Sequence, residues 1–132
     1  MKSPPGRFDG PRSEPILNAP LLPVLVALSM PLLFLFQSQA PGGWMDRAFA
    51  PADLASGRWG GLITSMLLHG GWGHALMNAV GALTFGAPVA RLLRGAGGAA
   101  AFIGLYIASG VVGALGYALV HPSSAVPMVG AS

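Results

Sequence analysis

HGGWGHALMNAVGALTFGAPV, the stretch from His69 to Val89, carries no charged residue and yet opens with two histidines and an asparagine. A helix over Gly71 to Val89 rises about 28 Å at 1.5 Å per residue, close to the roughly 30 Å of a bilayer's hydrocarbon core. Working outward, Ala99 to Val120 on one side and Ile16 to Phe36 on the other are also long, apolar and free of charge. Of the 132 residues, 53% are hydrophobic and 8% charged, against the roughly 25% charged that a water-soluble domain carries. The fold class that follows is all-α, a polytopic transmembrane helix bundle with three spans in this chain, lying in the lipid bilayer.

The segments divide naturally. Residues 1–14 hold Lys2, Arg7 and Arg12 among prolines and glycines and read as a flexible cytoplasmic tail. Residues 15–37 read as the first transmembrane helix, bent by Pro20, Pro23 and Pro31, which spans tolerate when neighbouring helices re-satisfy the freed carbonyls. A cleaved signal peptide ending near Ser38-Gln39-Ala40 competes with that reading, but the apolar run exceeds the usual core of about 7 to 15 residues. Gln37 to Leu68 is too long for a structureless connection, and its interspersed Trp44, Phe49 and Trp59 suit the bilayer interface, with a short helix near Pro51 to Ser56. Lys2, Arg7, Arg12, Arg91 and Arg94 would share one side and Arg47 and Arg58 the other. The positive-inside rule therefore puts the N-terminus inside. Gly104, Ala108, Ser109, Gly110, Gly113 and Gly116 give the third span the small residues that let helices approach closely.

Cysteine is absent, so no disulfide framework or thiolate metal site exists. The net charge of +3 is spread thinly, with no basic run to bind nucleic acid. Chemistry must come from histidines, hydroxyls and a few carboxylates. His74 and Asn78 lie one turn apart, about 40° from each other around the helix, and can point at a common spot. His69 precedes Gly70, Gly71 and Gly73 and cannot join them on a continuous helix; it is expected to end the loop and tie it to the fold by a hydrogen bond. The bland alternative for His74 and Asn78 is an interhelical hydrogen bond that glues the bundle. Zinc fits poorly, since histidines five apart with no nearby carboxylate do not form the HExxH arrangement. Neither metal nor cofactor is expected. At the other end of the sequence stands Gly130-Ala131-Ser132, where glycine allows a tight turn and a helix beginning at the serine would offer N–H groups to a developing oxyanion. The topology above brings Ser132 to the same outer side as His74 and Asn78.

The pattern His-x4-His-x3-Asn opening one span, with Gly-x-Ser one span later, resembles the rhomboid intramembrane serine proteases over roughly Gly57 to Ser132. The resemblance implies a bundle of six or more spans, of which residues 38–132 are the N-terminal part of the protease domain. It implies Ser132 as nucleophile, His74 and Asn78 as oxyanion stabilisers, and His69 and Gly130 as structural members of the motif. The family's dyad takes its base from a histidine on a later helix. His121, beside Pro122, is the remaining histidine here and would need hydrogen-bond reach to Ser132 to replace that base. The family's tryptophan-arginine pair is represented only by Arg58-Trp59 in reversed order, and Ala90 stands where members often carry a glutamate.

A terminal carboxylate at Ser132 would cost about 2.5 to 3.5 kcal/mol near the bilayer centre. A fragment whose parent continues with glycine and further spans is therefore expected, and this chain alone is expected to be inactive. The implied function is endoproteolysis of transmembrane-protein substrates near the outer face of a bacterial cytoplasmic membrane. Two alternatives are a non-catalytic rhomboid-like protein that binds other spans and an unrelated three-span scaffold or transporter piece.

Overall fold

The structure, a computed structural model, describes residues 20–40 and 44–130. The proposed tail at residues 1–14, residues 15–19 and the nucleophile candidate Ser132 lie outside them. Among the described residues three helices are long and apolar enough to cross a membrane: α1 (Leu21–Gln39), α4 (Trp72–Leu92) and α5 (Gly98–Val120). Between α1 and α4 the chain forms a 3₁₀ turn at Met45–Arg47, the short helices α2 (Ala52–Ala55) and α3 (Gly61–Thr64), and a second 3₁₀ turn at Ser65–Leu67. Among the described residues there is no strand, and the chain is an all-α bundle.

The first span ends two residues later than the sequence suggested. The Ser38 hydroxyl caps the Leu35 carbonyl at 2.8 Å, and α1 stops at Gln39 because Ala40, which precedes Pro41, is extended. Pro31 lies inside the helix as expected, whereas Pro20 and Pro23 fall at its start, where proline does little harm. The interfacial helix expected near Pro51 to Ser56 is α2.

Leu21, Leu25, Leu28 and Leu32 recur at helical spacing along one face of α1 and are all exposed. Phe85 on α4 and Val112 and Leu119 on α5 are likewise uncovered. So much contiguous apolar surface is inadmissible in water and ordinary in lipid, where the backbone is satisfied within each helix. The inward contacts rely on small residues. A methyl group placed on Gly86 of α4 would lie 3.3 Å from both Pro23 of α1 and Phe102 of α5, so three spans meet at one glycine. At the other end of this pair, Phe34 and Trp72 meet edge to face at 5.0 Å.

The connection between α1 and α4 is a folded unit with its own core. Phe49 is fully buried with Leu62 of α3 against Ala114 and Ala118 of α5, and Met128 closes the cluster. Phe49 and Met128 exchange both backbone hydrogen bonds, 3.2 and 2.7 Å, and Ala52 N–H donates to the Ser124 carbonyl at 3.1 Å. These bonds pin the segment that follows α5 to the loop that precedes α4. That positions the site.

Arg58 is salt-bridged to Asp53, five residues back, and Trp59 is exposed. The guanidinium that stacks on an indole is Arg47, 5.2 Å from the ring of Trp44, because the 3₁₀ turn brings residues three apart onto one side.

Candidate functional site

The chain passes from His69 through extended Gly71 into α4, which starts at Trp72. His74 and Asn78 stand one turn apart on the first part of this helix, both half-buried. The Gly70 N–H donates to His74 Nδ1 at 3.3 Å. Asn78 Nδ2 is buried and has no hydrogen-bond partner among the described residues.

Gly130 closes the site from the opposite end of the sequence. A methyl group on it would stand 2.5 Å from His74 Nε2, 2.6 Å from Cε1 of the same ring and 3.3 Å from Asn78 Nδ2. Its φ of +96° lies in the left-handed region. Glycine is thus required twice, by conformation and by contact. The turn is held by the Gly130 N–H, which donates 2.8 Å to the carbonyl of buried Ser65, and by Val129, which lies over Gly70. The described residues therefore bring together His74, Asn78 and Gly130. Beside them, between α1, α4 and α5, opens a cleft of about 340 Å³ lined by Met30, Asn78, Tyr106 and Ser109 among others.

His69 is 1% exposed, and its ring meets that of His74 edge to face at 5.5 Å. The expected hydrogen bond to the fold is present but is not made by the imidazole. The His69 backbone makes it, exchanging two bonds with the side chain of Gln37: Gln37 Nε2 donates to the His69 carbonyl at 2.7 Å, and the His69 N–H donates to Gln37 Oε1 at 3.0 Å. Among the described residues neither ring nitrogen of His69 has a partner at hydrogen-bonding geometry; the Leu67 carbonyl is only an electrostatic neighbour. Sequence reasoning missed Gln37. Its sole signal was an amide closing an apolar run, which reads equally as the end of a span.

Burial, and secondarily the facing His74, hold the His69 imidazole below its ordinary value of 6.5, against a weaker opposing pull from the Leu67 carbonyl. An unfolded chain thus takes up this proton more readily than the folded one, so stability rises with pH in the window just below 6.5 and is lost on acidification. The melting temperature in detergent micelles is expected to fall as the pH is lowered from 7.5 to 5.5. A His69→Phe variant should flatten that dependence; an unchanged slope would show that other groups cause it.

His121 caps the end of α5, where its ring lies 4.7 Å from that of Tyr117. No group of histidine and carboxylate side chains among the described residues is arranged to hold a metal ion.

The family model described as the rhomboid domain matches residues 56–132. YdcA of Bacillus subtilis (strain 168), named as a candidate rhomboid protease, is 33% identical over 116 residues, which cover 86% of this chain and 56% of that protein. The chain thus spans about half the length of the curated relative it matches. No solved structure matches it. An integral membrane protein with three apolar spans, a histidine and an asparagine one turn apart, and a glycine turn seated on both, this chain belongs to the rhomboid family.

Proposed function

We propose that the protein to which this chain belongs is a serine endopeptidase that cuts transmembrane helices near the outer face of the membrane. In this reading Ser132 is the nucleophile, and His74 and Asn78 donate hydrogen bonds to the oxyanion of the tetrahedral intermediate. The observation that carries it is the seating of Gly130 on both side chains. Ser132 follows Gly130 by two residues, a stretch that spans at most about 7 Å, which keeps the proposed nucleophile within chain reach of the two polar groups. Asn78 Nδ2 adds support, because a buried donor left without a partner is costly unless something transient uses it.

The chemistry is acyl transfer. Ser132 Oγ attacks the scissile carbonyl, its proton passing to a base on a later helix; the oxyanion forms between the Nε2 and Nδ2 donors; the amine leaves with that proton, and water then releases the acyl group. His121, stacked on Tyr117, has no part in this scheme. By the distribution of basic residues the N-terminus is cytoplasmic and the site opens outward, in a bacterial cytoplasmic membrane.

A fluorophosphonate probe applied to the full-length protein in native membranes tests the assignment. Peptide mapping is expected to place the adduct on Ser132, and an adduct on a different residue, or none, would refute it. The non-catalytic alternative predicts the latter.

A further inference from the structure

Gln37 stands at the end of α1 and is separated from His69 by 32 residues, yet its amide grips the His69 backbone on both sides. The orientation of that amide is not arbitrary. A backbone N–H needs an acceptor and a carbonyl needs a donor, so only one of the two flip states satisfies both. Held in this way, the peptide that follows His69 directs the Gly70 N–H at His74 Nδ1. A ring nitrogen that accepts a hydrogen bond carries no proton, which leaves the proton of neutral His74 on Nε2. Nε2 is the nitrogen that faces the Gly130 turn.

We propose that Gln37 is a positioning residue which, through the His69 and Gly70 backbone, fixes His74 as the tautomer protonated on Nε2. The consequence for catalysis rests on the reading given above: a His74 with its proton on Nε2 is a ready donor to an oxyanion and is unable to act there as a base. The tautomer itself does not depend on that reading. Gln37 is thus the means by which the first span, which supplies no group to the reacting centre in this scheme, takes part in building it.

The test is NMR of ring-labelled histidine in the full-length protein in bilayers, with His74 assigned through its loss in His74→Gln, alongside cleavage kinetics on a transmembrane reporter. The ring nitrogen shifts should report a single tautomer with the proton on Nε2. Gln37→Met, similar in shape but without polar atoms at its end, should give a mixture of tautomers and a kcat lowered about tenfold with KM unchanged, because a donor used only in the transition state is loosened. Gln37→Glu, which keeps the acceptor for the His69 N–H and loses the donor, should fall between. If Gln37→Met does not fold, Gln37→Glu decides: an intermediate His74 signal supports the proposal, and a wild-type signal overturns it. A wild-type His74 protonated on Nδ1, or a folded Gln37→Met with unaltered His74 signals, also overturns it. Absence of cleavage by a wild-type protein with the Nε2 tautomer intact would instead count against proteolysis and leave the role of Gln37 standing.

Discussion

Gly130→Ala is expected to lower kcat for a transmembrane substrate by about 10² to 10³ while leaving the three-span bundle folded. At a φ of +96° an alanine is strained by roughly 1 to 3 kcal/mol. Its methyl group would also arrive 2.5 Å from His74 Nε2, a separation that no packing arrangement tolerates. The imidazole cannot readily swing away, since its Nδ1 is held by Gly70 and its face by His69. The turn must therefore move, and if the proposed nucleophile two residues on is shifted by about 1 Å the rate falls by about 10²-fold. The contacts at Gly86 lie outside the disturbed turn, and the Phe49 core touches it only through Met128, so the melting temperature should fall only modestly. Proteoliposome cleavage assays read the first quantity and thermal unfolding in detergent the second. An alanine variant that cuts within threefold of wild type would show that Gly130 does not set the position of the nucleophile.

The parts of this fold legible in the sequence are those encoded over short distances. Three apolar runs of span length, broken by Arg91, Arg94 and their glycines, give three helices because the bilayer demands that each satisfy its own backbone. The pairing of His74 with Asn78 is a property of helical periodicity and required no knowledge of the rest. Contacts that join distant segments left no such trace. Phe49 meets Met128 across a long stretch of chain, and nothing in either neighbourhood announces the pairing. The Gln37 amide could equally have faced headgroups, and Trp44 with Arg47 became a stacked pair only through a 3₁₀ turn that the sequence did not signal. Arg58 was likewise unreadable in advance: its partner is the carboxylate of Asp53, five residues back. Topology suggested only that Ser132 and the His74 to Asn78 turn share a side; the contact of Gly130 with His74 comes from the folded loop.

Asn78→Leu should separate the two physical readings of that residue by sign. If Asn78 were structural glue, its amide would be spent on another helix, and leucine would lower stability by about 0.6 to 2 kcal/mol. Its Nδ2 is instead buried without a partner among the described residues, facing the Gly130 turn. Leucine, close to it in size, removes a desolvated donor and adds apolar surface to the cleft it borders. The expected result is a gain of about 1 kcal/mol in unfolding free energy together with a loss of about 10² to 10³ in kcat, the scale on which an oxyanion donor acts. KM should change little, since the bond is made to charge that develops only during reaction. Equilibrium unfolding in mixed micelles and steady-state cleavage of a transmembrane reporter by the full-length protein measure the two quantities. Stability and rate moving in opposite directions is the pattern a preorganised site produces, because an unmet hydrogen bond is kept in the resting fold for a species that exists only in passage. A destabilised variant with an unchanged kcat would return Asn78 to the role of bundle glue.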